Sequence, residues 1–415
     1  MQSFKIFTLG CKVNQYESQF IRETLLASNF REVYREPADI YIINTCTVTQ
    51  KADRDSRHLI YRAYQQNPSA KILVTGCYTE LDADIIGKIR GVSFIVKNKD
   101  KFNIVNLLNG KKMDLNISGI SEFSNHTRAF LKVQDGCDNF CSYCKIPLVR
   151  GSSFSRKPHD IIKEAENLVQ NGYKEIVLCG ICLGSYGKDL EKKIELIDLL
   201  KILDNLEGDF RIRLSSLEAW DITERFLTGL DKFKRLCPHL HIPIQSGSDK
   251  ILQLMRRRIT SQDYLKIIRK LKEIIPSLAI TTDIMVGFPQ ETDEDFKKTV
   301  DLLNEIQPLK IHIFSYSPRN FTLAYNLKGR LPPLKIKERI AYLRDISYKF
   351  SFTFMQKSLG SLRSVLFESL ILPNIWQGFT DNYIKVRVFS KDKLKNRLLP
   401  VKLIRIEKDF LWAEL

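Results

Sequence analysis

The chain has 415 residues, 44% hydrophobic and 27% charged, with 65 basic against 48 acidic side chains and a formal net charge of +17. That length supports two or three domains and at least one sizeable core. No apolar run is long enough for a membrane span, and the amino terminus lacks the basic and apolar regions of a signal peptide. The expected setting is therefore cytoplasmic, where nine cysteines point to metal or redox chemistry rather than structural disulfides. The positive field favours a polyanionic partner, nucleic acid before an anionic membrane.

Three β-rich apolar runs open the chain: FKIFTLGC, IYIINTC and KILVTGC. Each delivers a cysteine, Cys11, Cys46 or Cys77, into the loop that follows. Their separations of 35 and 31 residues suit one strand–helix–strand unit each. Parallel pairing would bring the three thiols to one sheet edge. One such cysteine is more often a buried small hydrophobe; three in the same structural position read as ligands. This α/β domain is expected over residues 1–120, ending in the polar stretch SGISEFSNHT.

Over residues 121–350, short apolar runs alternate with amphipathic ones. Strands are expected at FLKVQDG (130–136), EIVLCG (175–180), RIRLSSLE (211–218), HLHIPIQSGS (239–248), LAITTDIMVGFP (278–289) and KIHIFSYSP (310–318). Gly172 is placed to stop one intervening helix, and Thr292 with Asp295 three positions on to start another. Six strand–helix units imply a parallel sheet curved into a partial (β/α)6 barrel. Sites in such folds lie at the carboxyl ends of strands. Cys137, Cys141 and Cys144, the Gly180–Gly184 loop, Glu218, and Gln245 with Ser246 all fall there.

Residues 355–415 change character. SVLFESL, NYIKVRVFS, LLPVKLIRIEKD and FLWAEL read as short strands, with turns at Pro373-Asn374, Gly378 and Lys408-Asp409. A small antiparallel β-barrel is expected. Its eleven basic and six acidic residues suit a grip on RNA, with a structural cap as the plainer reading.

VQDGCDNFCSYCKIP places Cys137, Cys141 and Cys144 at C-x₃-C-x₂-C spacing, with no fourth Cys or His close behind. Closed structural zinc sites use four protein ligands. Three thiolates can instead hold a 4Fe–4S cube by three irons and leave the fourth open. Zinc with three cysteines and a water competes; the tight spacing ahead of a strand–helix barrel favours iron.

Cys137-Asp-Asn-Phe-Cys141-Ser-Tyr-Cys144 resembles the cysteine motif of radical S-adenosylmethionine (SAM) enzymes. TLGCKVNQYES, INTCTV and VTGCY resemble the amino domain of the methylthiotransferases among them. LHIPIQSGSDKIL, MRRR (255–258), DIMVGFPQET and HIFSYSPR resemble their radical domain, and GFTDNYIKVRV their TRAM-like RNA-binding barrel. The resemblance spans nearly the whole chain, and the wording Lys12-Val13-Asn14-Gln15-Tyr16 is most similar to the branch acting on N6-threonylcarbamoyladenosine (t6A) in tRNA. It implies two 4Fe–4S clusters. Cys137, Cys141 and Cys144 would bind the one that cleaves SAM, and Cys11, Cys46 and Cys77 an auxiliary one that carries the sulfur. A methylthio group would then replace hydrogen on C2 of the modified adenine beside the anticodon, with a reducing protein as electron donor. Tyr143 would contact the cofactor's adenine, Gly180 would admit it closely, and Glu218, Gln245 and Ser246 would meet its polar groups. Arg256, Arg257 and Arg258 are candidates for phosphate contacts.

Departures from the family pattern fall in loops. Cys179-Gly-Ile-Cys182 resembles a redox C-x-x-C, with tolerated substitution as the plainer reading. Ala219 follows Glu218 where proline is usual, and Asn-Phe-Thr follows Arg319 where a Gly-Thr turn is usual. Cys237 reads as packing. The same chemistry on isopentenyl-adenosine or on a ribosomal-protein aspartate is one alternative; a non-catalytic RNA-binding metal protein is the other.

Overall fold

The computed structural model describes residues 1–110, 119–124 and 126–415. Ser118 and Asn125, within the expected boundary stretch SGISEFSNHT, lie outside the described residues.

The first sheet is formed by β1 (Ser3–Thr8), β2 (Arg31–Glu32), β3 (Ile40–Thr45), β4 (Lys71–Gly76) and β5 (Val92–Val96). All neighbours are parallel, in the order β2-β1-β3-β4-β5. Every residue of β3 is buried because helices cover both faces. Ile40 and Ile42 pack with Ile21 and Leu25 of the helix Lys12–Ala27, while Tyr41 and Ile43 pack with Ile60 and Ala63 of the helix Gln50–Gln66. The strand order reverses between β1 and β3, the place where such sheets open a crevice at their carboxyl ends.

The central region holds β6 (Arg128–Lys132), β7 (Gln134–Asp135), β8 (Phe154–Ser155), β9 (Glu175–Cys179), β10 (Arg211–Leu214), β11 (His239–His241), β12 (Ala279–Val286) and β13 (Lys310–Ser315). β6, β9 and β10 are parallel neighbours in chain order, as are β11, β12 and β13. Parallel bridges Ile212–Leu236 and Ser216–His241 join the two triplets into one six-stranded partial barrel. Two expected strands are shorter than read. FLKVQDG breaks after Lys132, and Gln134–Asp135 turns away to pair antiparallel with β8. HLHIPIQSGS is regular only to His241, and Gln245 takes a left-handed φ of 76°. The start at Thr292 has both arms of a capping box with Asp295. Gly172, at φ 87°, follows the C-cap of the helix Pro158–Gln170. The helix Pro333–Ser358, unread in the sequence, runs across the interval 350–355 between the expected second and third segments.

The last 54 residues close a barrel of β14 (Leu362–Leu372), β15 (Ile375–Thr380), β16 (Lys385–Phe389), β17 (Leu398–Glu407) and β18 (Phe410–Glu414). It differs from a purely antiparallel barrel at one seam, where β16 and β18 pair in parallel. Gly378 lies inside β15 and is not a turn. A Cβ there would sit 2.2 Å from the Leu366 carbonyl oxygen, so the residue serves close strand approach. Arg211 and Arg213 of β10 dock this barrel, donating to the carbonyls of Ser364, Phe379 and Asp381 at 2.9–3.0 Å. Both arginines also pair with buried Glu175 at 2.6 Å.

Candidate cluster sites and the barrel cavity

Cys11, Cys46 and Cys77 follow β1, β3 and β4, three adjacent parallel strands. Two glycines set their approach. Gly10 (φ 98°) precedes Cys11, and a Cβ there would lie 3.1 Å from Cys46 Sγ. Gly76 (φ 99°) precedes Cys77, and a Cβ there would lie 2.4 Å from the Thr45 carbonyl oxygen. Both turns are thereby pressed against the Cys46 turn. Asn14 ties them laterally, donating to the carbonyls of Leu9 (2.7 Å) and Thr45 (2.9 Å). Cys11 also sits at the amino end of the helix Lys12–Ala27, whose dipole favours negative charge. Burial pushes the Cys46 thiol up to about 12 and raises Cys77 against the pull of Arg150. Gly76→Ala is expected to displace Cys77, lower the iron held by this site and destabilise the chain by more than ~1 kcal/mol, measured by iron analysis beside denaturant unfolding.

Cys137, Cys141 and Cys144 lie on the loop framed by the β7–β8 ribbon, with the Cys137 N–H donating to the Gly151 carbonyl at 3.1 Å. The MRRR stretch holds this loop from the far side. The Ser142 N–H donates to the Met255 carbonyl (2.9 Å) and its hydroxyl to that of Leu254 (2.6 Å). Arg257 is 7% exposed, which corrects its reading as a phosphate contact. It forms a two-pronged pair with Glu218 (3.0 and 2.6 Å), stacks on Trp220, and brings Nη1 to 4.0 Å from Cys141 Sγ. Arg258 donates to the Asp138 carbonyl at 3.3 Å. Tyr143 packs edge-on to Phe288. Burial pushes the Cys144 thiol up to about 12.

The remaining sequence candidates divide. Gly180 lies beside Gln134, whose Oε1 would be 2.8 Å from a Cβ there. Ser246 turns away: its hydroxyl accepts from the Ser248 N–H (3.2 Å) and meets Thr299 Oγ1 (3.4 Å), bracing the loop on the helix Asp293–Ile306. Cys182 does not pair with Cys179. Its thiol is hydrogen-bonded to Cys137 and lies 3.2 Å from Ser185 Oγ, while Cys179 is buried at the end of β9. Cys237 is buried, as packing requires.

Buried charges tie the Cys77 turn to the short helix Ile146–Arg150 that follows Cys144. Glu17 accepts from Lys101 (2.5 Å), Lys132 (2.9 Å) and Arg150 (3.0 Å). Arg150 also bonds Asp135 at 2.9 Å, Asn14, and Cys77 Sγ at 3.3 Å. Burial raises the Glu17 carboxyl, and Arg150, Lys101 and Lys132 outweigh it, holding it well below the usual carboxylate range. A second arginine reaches across from the loop after β13: Arg319 donates to Asp53 (2.5 Å) and Thr47 (2.9 Å), beside Cys46. Sequence pattern did not reveal Arg150, Glu17 or Arg319, because their partners lie 133 and 266 positions away.

Inside the partial barrel lies a cavity of about 840 Å³, with Cys11 and Lys12 on one wall and Gly180, in the loop after β9, on another. Tyr383 of the carboxyl-terminal barrel, stacked on His239 at 4.6 Å, borders it.

The donor sets fit iron–sulfur clusters. Each triad offers three free thiols, a donor set that can hold a 4Fe–4S cube through three of its irons. Hydrogen-bond donors to sulfur, from Arg150 to Cys77 and from the Ile146 N–H to Cys144 (3.4 Å), favour bound thiolates.

Residues 131–303 match the radical SAM superfamily, and residues 3–97 match the uncharacterized protein family UPF0004. Fold, thiol placement and these matches define the class, a radical SAM protein. The threonylcarbamoyladenosine tRNA methylthiotransferase MtaB of Thermotoga maritima is 38% identical over 93% of this chain and 91% of its own. The tRNA-2-methylthio-N6-dimethylallyladenosine synthase of Clostridium tetani is 36% identical over 84% and 81% respectively. The chain belongs to the radical SAM methylthiotransferase family. Among solved structures, the radical SAM methyltransferase TsrM from Kitasatospora setae aligns with a TM-score of 0.56 over 78% of this chain and 76% of its own. The two are 11% identical, so the likeness is one of fold.

Proposed function

We propose that this protein replaces hydrogen with a methylthio group at C2 of t6A next to the anticodon of tRNA. The observation that carries the reading is two sets of three free thiols, one at the carboxyl ends of β1, β3 and β4 and one in the loop after β7, with Cys11 of the first set lining the barrel cavity. Cys137, Cys141 and Cys144 would hold one 4Fe–4S cluster and Cys11, Cys46 and Cys77 the second. SAM and the clusters supply the one-electron chemistry and the sulfur that an unactivated aryl C–H bond requires.

The chain's own residues bind, orient and shield. Arg257, fixed by Glu218 and the Pro243 carbonyl (2.7 Å), brings positive charge to Cys141. Arg150 does the same for Cys77. Tyr143, half-buried against Phe288, walls the Cys141–Cys144 turn. The basic carboxyl-terminal barrel borders the cavity and would grip the anticodon arm. A reducing protein would deliver electrons, and the setting is the cytoplasm. Among the described residues no helix is long and apolar enough to cross a membrane.

The test supplies anaerobically reconstituted protein with SAM, a reductant and tRNA bearing either t6A or isopentenyl-adenosine, then analyses digested nucleosides by mass spectrometry. Conversion of t6A alone to its 2-methylthio form is expected. Conversion of isopentenyl-adenosine alone would move the protein to the other tRNA branch.

A further inference from the structure

Closed barrels of this kind pack their interiors with branched apolar side chains. On its β11–β13 side this partial barrel does not, although Phe130, Val177 and Leu214 line the other side. Strand alternation turns His239 and His241 of β11, Thr281 and Asp283 of β12, and His312 of β13 toward the cavity. Three of these form a cluster. Asp283 Oδ1 lies 3.2 Å from His241 Nε2 and 3.2 Å from His312 Nδ1, and the imidazoles are 5.1 Å apart. Thr281 Oγ1 lies 2.9 Å from His241 Nδ1. Burial raises the Asp283 carboxyl, but hydrogen bonds from both imidazoles outweigh it and leave it at about 2.

An ionised carboxylate only accepts, so the imidazole nitrogens facing Asp283 carry hydrogen. That fixes both tautomers. His241 Nδ1 faces the Thr281 hydroxyl. The His312 side chain is 40% exposed, and its Nε2 has no hydrogen-bond partner among the described residues. Nε2 is thus free to accept a hydrogen bond from a guest or, once protonated, to donate to an anion. Lys12 adds a cation on the same cavity wall.

We propose that His241, Asp283 and His312 form the site that reads the N6 substituent of the target adenosine. The chemistry it takes is a polar acyl group carrying a hydroxyl and a carboxylate, with His312 as the contacting residue and Asp283 as the positioning one. The inference rests on the t6A reading and gives it a structural cause. A threonylcarbamoyl group can satisfy these polar atoms. An isoprenoid would strip them of water and return no hydrogen bond, and sites built to hydrogen-bond a substrate reject analogues that lack the partner.

Binding of labelled anticodon stem-loops to the anaerobically reconstituted protein, with SAM and reductant left out, tests this without the reaction. The three RNAs carry t6A, isopentenyl-adenosine or adenosine beside the anticodon, and the proteins are wild type, His312→Phe and Asp283→Asn. Wild type should prefer t6A over adenosine by about tenfold to a hundredfold. Both variants should bring that ratio close to one while affinity for the adenosine RNA stays within about twofold. His312→Gln replaces His312→Phe if the latter shifts the thermal midpoint. An unchanged ratio in the variants overturns the proposal. So does a wild-type preference that vanishes with EDTA, which would give the cluster to a divalent cation. If wild-type enzyme converts isopentenyl-adenosine in tRNA and not t6A, the underlying reading falls; if it converts t6A while the variants keep the ratio, only this inference does.

Discussion

Replacing Cys137, Cys141 and Cys144 together by alanine is expected to cut the iron of anaerobically reconstituted protein from about eight to about four per chain and to abolish SAM cleavage. Six thiols stand in two sets of three, on separate sheets, and each set is framed by its own turns. Losing one set therefore leaves the other's scaffold intact. The reciprocal triple variant at Cys11, Cys46 and Cys77 should also hold about four irons, yet still cleave SAM without methylthiolated product. Iron and sulfide analysis beside 5′-deoxyadenosine quantification checks both. About four irons in wild type would remove the second cluster, and zinc in place of iron would return the protein to the class of RNA-binding metal proteins.

Glu17→Gln should destabilise the protein by about 3–5 kcal/mol, as breaking a buried ion pair does. The substitution leaves Lys132 and Arg150 with Asp135 as their remaining carboxylate and takes the paired carboxylate from Lys101. Side-chain exposures of 0%, 9% and 1% give those cations little water to fall back on. The pH dependence has a definite sign. Because the folded-state value of Glu17 is depressed, its contribution is complete above the unfolded value of ~4.3 and is lost as pH falls through the folded one. The gap between wild type and variant, read from denaturant midpoints, should therefore narrow with acidification below ~4.3. A constant gap would mean that Glu17 acts through packing rather than charge.

Much of this architecture was legible in the sequence because it rests on local pattern. An apolar β-run ending in a cysteine places that thiol at a strand's carboxyl end, and this holds at Cys11, Cys46 and Cys77. The six barrel strands, the capping box at Thr292 and the helix stop near Gly172 are local in the same way. What escaped depends on partners distant in the chain. Arg257 sits in a run of three arginines, and nothing nearby shows that it alone folds inward onto Glu218, 39 positions away. Ser246 follows Gln245, whose left-handed backbone sends the next hydroxyl to Thr299. Gly378 has the composition of a turn and the function of a spacer between strands. The histidine–aspartate cluster comes from three strands at alternating positions, a pattern that no motif announces.

The order of the barrel strands bears on how the chain is made. From β6 to β13 each parallel strand adds beside the one before it, so every new strand meets an edge already laid down. Synthesis from the amino end can build this sheet progressively, with no early strand waiting for a late neighbour. The exception is the chamber's far wall. The carbonyls of Ser364, Phe379 and Asp381 that receive Arg211 and Arg213, and the Tyr383 ring that stacks on His239, belong to the last segment translated. The cavity is thus completed only when the carboxyl-terminal barrel has folded, so a truncated chain would lack that wall.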